Sequence, residues 1–394
     1  MPGALSPSAL PAAAGGVDVA GGITSVVPGI RKLKKIATTY NLPAGFRGGR
    51  VPLQLPKSSY AQKAVIRISG NLQVTQNATV FTLTAGDPRS FLDRIDFQLS
   101  GSTSPRQLSG IQNDIIDNLD VPAIAPNNSS LATLTAGAAN SVTQYAYVQE
   151  WSPLFTVSDQ NMYGIPYLGA LATAPQIVLT LKDPNGTIAT PSANPTTAMT
   201  FENGLVELEL WRVDLPGPVM PQQHHQVVDG KDTVVEIPGQ GLYLESSYIL
   251  LSKLADAQDL TSAGTYKKFK LPIGPDYLRI VVLCWNNNVL DPESNPLTDH
   301  VELVVQQATA IESKKLWEFS NEYRRLYNKA RPGGVMVFSG IDSTGTDSDI
   351  YVTRELGNFD VDYYGAPGVT PPANSRVEVI TQQLVPLSVP GEYL

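Results

Sequence analysis

Short apolar runs with a period of two recur along this chain, and one stretch departs from them. Ile66, Ile68, Leu72 and Val74 alternate with Arg67, Ser69, Asn71, Gln73 and Thr75, the pattern of a strand with one apolar and one polar face. By contrast Leu316, Phe319, Tyr323, Leu326 and Ala330 recur at spacings of three and four, which predicts one helical face; Trp317 falls in the same segment. Ser313 is one N-cap candidate, with Thr309 and Glu312 an alternative capping box a turn earlier. Arg324, Arg325, Lys329 and Arg331 suit the negative end of the helix dipole, and Pro332-Gly333-Gly334 ends the helix before an apolar strand at Val335-Met336-Val337-Phe338. A long helix inserted ahead of one strand in a strand series describes an all-β chain with helical excursions.

Further strands are expected at Ile95 to Leu99, Val142 to Trp151, Ile177 to Leu181 and Leu205 to Val213, with a short helix over Leu108, Ile111, Ile115 and Leu119. Residues 121–141 read as a surface excursion. Pro216, Pro218 and Pro221 cannot belong to a central strand, so 216–223 is taken as a linker. It separates a first sandwich at 51–215 from a second at 224–394, after an N-terminal arm at 1–50. The second series runs through Thr233 to Ile237, Leu242 to Leu251, Tyr266 to Leu271, Leu278 to Trp285 and Val301 to Val305, then beyond the helix to Glu355 to Tyr364 and Val377 to Val385. Each half holds about seven or eight strands, the number that suits a β-sandwich.

Charge is unevenly spread. Residues 1–70 hold nine Lys or Arg and one acid, Asp18, for a net +8; the remainder carries −16. The basic part is expected to face something anionic. Within it, Ile30, Leu33 and Ile36 are spaced by threes among Arg31, Lys32, Lys34 and Lys35, which predicts a turn or two of basic amphipathic helix. Such a segment suits an anionic lipid surface, and docking on a neighbouring subunit is the alternative. Without interleaved aromatics or a motif, sequence-specific nucleic-acid binding is not expected. No secretory signal and no spanning segment of about 18 apolar residues is read, so synthesis in a cytosol is expected.

Chemistry leaves little trace. The lone cysteine, Cys284, permits no intrachain disulfide and sits in a strand expected to be covered on both faces. His224 and His225 are adjacent and point apart along an extended chain; His300 stands alone. Asp360 and Asp362 share a strand face that reads as solvated. The acidic run from Asp342 to Asp349 lacks the closing glutamate of a calcium loop. No cofactor, metal or catalytic group is expected.

The order of these elements resembles a family, the double jelly-roll major capsid proteins of tectivirus-like, membrane-containing tailless double-stranded DNA viruses. The resemblance rests on Ala64 to Val74, on Phe91-Leu92-Asp93-Arg94-Ile95-Asp96-Phe97, and on Lys315-Leu316-Trp317, Arg324-Arg325 and Pro332-Gly333-Gly334-Val335. It implies two tandem eight-stranded jelly-roll barrels and a structural protein of the virion capsid, made in the host cytoplasm. It further implies a homotrimer forming a pseudo-hexagonal tile, set among neighbouring capsomers and minor capsid, vertex or cement proteins. Ile30 to Ile36 would then lie on the inner face, near an anionic internal membrane. Rival readings are a carbohydrate-binding or adhesive β-sandwich protein and, behind it, a two-barrel cupin enzyme, which needs clustered histidines that this sequence hardly provides.

Overall fold

A computed structural model describes residues 17–18, 22–23, 33–57, 60–75, 83–85, 87–98, 104–120, 142–157, 166, 168, 174–191, 198–213, 223–228, 231–236, 248–294, 296–305, 309–341, 350–354 and 356–386. The principal strands of the first half are β1 (Leu33–Asn41), β2 (Gly49–Gln54), β3 (Tyr60–Thr75), β4 (Leu92–Gln98), β5 (Arg106–Leu108), β6 (Val142–Trp151), β7 (Gln176–Leu181) and β8 (Ala198–Val213), with helix α1 (Gly110–Asp120) after β5. Those of the second half are β9 (Tyr248–Asp259), β10 (Tyr266–Lys270), β11 (Asp276–Asn286), β12 (Thr298–Val305), β13 (Thr309–Lys315), β14 (Val335–Ser339), β15 (Phe359–Gly365) and β16 (Arg376–Pro386), with α2 (Leu316–Tyr327) between β13 and β14. Shorter pairs join Val17–Asp18 to Gly22–Ile23, Leu83–Ala85 to Ala189–Pro191, and Gln223–Val228 to Lys231–Glu236.

Three sheets make the body. A four-stranded sheet in the order β1-β8-β3-β6 belongs to the first half, and another, β10-β15-β12-β13, to the second. Opposite both lies one ten-stranded sheet, whose path runs β11-β16-β9-β5-β4-β7-β2, with β14 paired to β11. Each half is therefore a sandwich, and the two sandwiches share a wall.

The first core fills the gap between β3 and β8 on one side and β2, β4 and β7 on the other. Ile66, Ile68, Leu72 and Val74 are all buried there, as the alternation requires. Phe91, Tyr147 and Phe201 pack as an aromatic trio with centroids 5.1–5.6 Å apart. The second core sets Tyr277, Ile280, Val282 and Cys284 of β11 against Val301, Leu303, Val361 and Tyr363. The opposite face of β11, with Val281, Leu283 and Trp285, belongs to a separate cluster. Cys284 thus lies in a strand buried on both sides, and burial pushes its thiol up to about 12.

Several expectations are corrected. Leu33, Lys34, Lys35 and Ile36 are not helical: they open β1, which pairs from Leu33↔Val213 to Asn41↔Leu205. Three apolar residues across seven positions cannot hold a helix against a long strand offering a full ladder of hydrogen bonds. The segment read as arm consequently enters the first sheet. Ser313, Thr309 and Glu312 do not cap α2 but lie in β13, which runs straight into the helix; Lys315 is its N-cap, and Glu318 accepts the Lys315 N–H at 2.8 Å. At the other end Asn328 turns left-handed (φ 52°), so Ala330 is outside the helix and exposed. Asp360 and Asp362 are buried, not solvated, because Lys268 reaches Asp360 at 2.8 Å and Tyr266 reaches Asp362 at 2.9 Å. Ile30, Arg31, Lys32, the 216–222 part of the linker, residues 121–141 and 342–349 lie outside the described residues.

Candidate functional site: the seam between the sandwiches

β5 closes the shared wall. β5 runs parallel to β9 with Arg106 opposite Ser252 and Gln107 opposite Lys253, and the Ser252 N–H donates to the Pro105 carbonyl at 2.7 Å. Among the described residues every other strand pair in the wall is antiparallel. β5 is short, and α1 holds it in place from behind. Arg106, 1% exposed, donates from Nε to Asn113 Oδ1 (2.6 Å), from Nη1 to the Leu154 carbonyl (2.9 Å) and from Nη2 to Asp117 Oδ1 (2.5 Å). Two of these partners sit on α1, one turn apart, so a single guanidinium fork joins strand to helix.

α1 starts with a reciprocal cap. Ser109 Oγ accepts from the Gln112 N–H (3.3 Å), and Gln112 Oε1 accepts from the Ser109 N–H (2.9 Å). Gly110 has to be glycine, since a Cβ there would lie 2.3 Å from the Arg89 carbonyl oxygen. The helix then lays Ile111, Ile115, Ile116 and Leu119 onto Val281, Leu283, Val335, Val337 and Ile380 of the second sandwich, with Tyr323 and Tyr327 of α2 closing the cluster. Burying an apolar side chain of this size contributes about 1.5–3 kcal/mol, so the seam is a core in its own right and not a hinge. Polar contacts cross it as well: Gln112 Nε2 donates to Glu378 Oε2 at 2.9 Å, and Lys329 Nζ to the Asn118 carbonyl at 2.5 Å.

No family model matches the sequence, and no curated protein matches it. Solved structures do. The chain aligns over 89% of its length with 97% of the major capsid protein of Sulfolobus turreted icosahedral virus, at TM-score 0.56 and 13% identity. It aligns over 90% of its length with 94% of a chain from the PBCV-1 virus capsid, at TM-score 0.55 and 9% identity. PBCV-1 VP54, as fitted to the virophage Sputnik, gives TM-score 0.58 at 10% identity, with 90% and 94% covered. These are double jelly-roll structures. The fold is a double jelly roll. At such identities the likeness concerns the arrangement of strands.

Within this double jelly roll, α2 divides its residues between two environments. Phe319 enters the second barrel's core, edge-to-face on Phe338 at 5.0 Å, with Leu316 packed beside it. Tyr323 enters the seam, and Leu326 packs against it. Trp317 is 62% exposed. The buried stripe is Phe319, Tyr323 and Tyr327; Tyr327 lies outside the face that the sequence periodicity predicts, although a step of four from Tyr323 points to it. Arg331 just beyond is buried, donating to Ser320 Oγ, the Val335 carbonyl and Glu293, and burial pulls it below the ordinary guanidinium value. The seam's other anchors, Arg106 and α1's cap, carry a visible sequence signal only in Ser109-x-x-Gln112.

Among the described residues no group of three His, Cys, Asp or Glu is placed to hold a metal ion. His300 stacks on Tyr364 at 4.2 Å and contacts Asp299, while His224 and His225 lie on a separate hairpin. No described helix is long and apolar enough to cross a membrane.

Proposed function

We propose that this chain is a viral major capsid protein, a structural subunit without catalytic activity that needs no cofactor. It would self-associate as a trimer whose six barrels form a pseudo-hexagonal tile, and tiles would close an icosahedral shell over an internal membrane in the virion. The observation that carries this reading is the shared wall: two barrels locked by a buried seam make one rigid block, and capsid chains have the same strand arrangement over nine-tenths of this chain. Neighbouring capsomers and minor vertex or cement proteins are the natural partners, and synthesis would be in the host cytoplasm. The basic segment is assigned to the inner face, where each Lys or Arg near anionic lipid contributes about 1 kcal/mol. With β1 at a sheet edge, Lys34 and Lys35 would serve there on an edge strand, where lysine also discourages unwanted strand pairing.

Sedimentation of the purified chain tests the assembly: a mass of three chains supports it, and a strict monomer at high concentration argues against it. Electron microscopy of the concentrated protein reads shell formation directly. Flotation with vesicles tests the inner-face assignment, which predicts binding to anionic but not zwitterionic lipid and release by salt.

A further inference from the structure

The sequence holds two Asn-Gly dyads, Asn185-Gly186 and Asn203-Gly204, and the fold places them in opposite surroundings. Asn185 and Gly186 are exposed in the turn after β7. Asp183 Oδ1 accepts the Asn185 N–H at 2.9 Å, and the Pro184 carbonyl accepts from both Thr187 (3.3 Å) and Ile188 (3.0 Å). The Gly186 N–H is passed over. The Asp183 carbonyl, which an ordinary β-turn would offer it, accepts the Thr187 hydroxyl instead. Among the described residues neither the Gly186 N–H nor the Asn185 side chain has a hydrogen-bond partner. A Cβ built on Gly186 would meet nothing within 4 Å, so the space beside its nitrogen is open to water. Asn203-Gly204 instead lies within β8, where its pairing with β3 shifts register between Glu202 and Leu205. Gly204 is buried, and its carbonyl accepts the Leu42 N–H at 2.8 Å. A Cβ there would stand 2.7 Å from Leu42 Cδ1 and 2.9 Å from Phe201 Cδ1.

We propose that Asn185 is a site of spontaneous covalent modification, in which the Gly186 nitrogen attacks Asn185 Cγ. The new C–N bond closes a succinimide ring, and Asn185 Nδ2 leaves as ammonia with the proton that Gly186 gives up. Water then adds at either ring carbonyl and breaks one C–N bond, leaving aspartate or isoaspartate with a carboxylate in place of the amide. No oxidant, reductant or enzyme takes part, and water is the co-reactant. At Asn203 the same ring requires the Gly204 nitrogen to leave β8 through space that Leu42 and Phe201 fill, so it forms only in locally opened molecules. Gly186 and Thr187 line a cleft of about 1270 Å³ bounded by both barrels, with Asp93 and Lys182, paired at 2.9 Å, on the same lining. Each conversion therefore sets a new negative charge at the edge of that cleft. The isoaspartate product also adds a main-chain carbon to a turn that Ser90 Oγ holds through the Thr187 carbonyl at 3.1 Å. The cleft thus carries a record of the age of each molecule.

The test incubates the folded full-length protein in mildly alkaline buffer made with ¹⁸O-water. Peptides are then mapped by mass spectrometry, with fragmentation that separates aspartate from isoaspartate. Asn185 should convert to both products, each carrying an ¹⁸O atom. Asn203 should keep its amide at least about tenfold longer, equivalent to about 1.4 kcal/mol of added barrier. In urea, where no fold distinguishes the dyads, the two should react at similar rates. Asn203 converting as fast as Asn185 in the folded protein overturns the proposal, and so does an Asn185 that stays amidated when folded but converts in urea. A rate difference that persists undiminished in urea assigns it to neighbouring sequence and overturns the part given to the fold. Aspartate without isoaspartate at residue 185 means that water attacks the amide directly, and overturns the attack by Gly186.

Discussion

Arg106 Nη2 and Asp117 Oδ1 meet at 2.5 Å beside the parallel β5–β9 contact that joins the two barrels. Replacing Arg106 with Met takes one buried guanidinium away from Asp117, Asn113 and the Leu154 carbonyl together, and breaking a buried pair of this kind costs about 3–5 kcal/mol. Arg106→Lys should recover little of this, because an ammonium cannot reproduce a fork that also reaches Asn113 and the Leu154 carbonyl. Urea unfolding monitored by tryptophan fluorescence measures both.

Trp317 and Phe319 are two residues apart on α2 and should respond in opposite ways. Phe319→Ala empties a core position and should cost about 3–5 kcal/mol. Trp317→Ala removes a side chain that is mostly in water and should change monomer stability by no more than about 0.5 kcal/mol. Paired thermal melts decide; a large loss from Trp317→Ala alone would mean the helix is rotated from the orientation described.

Gly334 has φ 68°, and a Cβ there would lie 2.6 Å from the Cys284 carbonyl oxygen and 2.7 Å from the Asp291 nitrogen. Gly334→Ala therefore combines a strained backbone with a clash against main chain that cannot rotate away. A loss of about 1–3 kcal/mol is expected from the backbone conformation alone, before the clash is counted. Gly357→Ala, where a Cβ meets nothing within 4 Å, is the control on the same melt.

Asp291 is raised above its ordinary 3.8, chiefly by burial, and opposed by the Leu297 N–H, the Asn286 amide and the charge of Arg331. For an acid raised in the folded state, the stabilising contribution is complete below the ordinary value and is lost as pH climbs through the folded one. Asp291→Asn removes that slope. The variant should gain Tm relative to the parent as pH rises from about 4 to about 7. A constant difference across the range would show that Asp291 does not titrate as described.

Much of the fold is legible in the sequence, since its core strands obey two-residue alternation and are closed by glycine and proline. β3 is visible by its alternation, and β6, β7, β11, β14 and β16 by apolar runs between turn residues. β11 is also readable as covered on both faces, its unbroken apolar run from Ile280 to Cys284 leaving no polar side. What escapes are edges. β1 and β13 each form ladders on one side only, and neither needs an apolar alternation to do so; β1 therefore looks like a basic helix and β13 like a capping segment. The seam is legible only in part. Helix periodicity exposes Ile111, Ile115, Phe319 and Tyr323, but what these faces pack against depends on β5 meeting β9, a contact between residues 106 and 252 with no local pattern. The buried aspartates of β15 fail for a related reason, because their partners Lys268 and Tyr266 come from a strand nearly a hundred residues earlier.

The hydrogen-bond ladder through β5 and β9 has a mechanical consequence. Because the wall continues unbroken from one barrel to the other, with helices clamped across the join, twisting one barrel against its twin would tear main-chain bonds and open an apolar core together. The molecule is a plank and not a pair of beads on a string. Any curvature in a larger object made from it must be taken up where one molecule abuts the next.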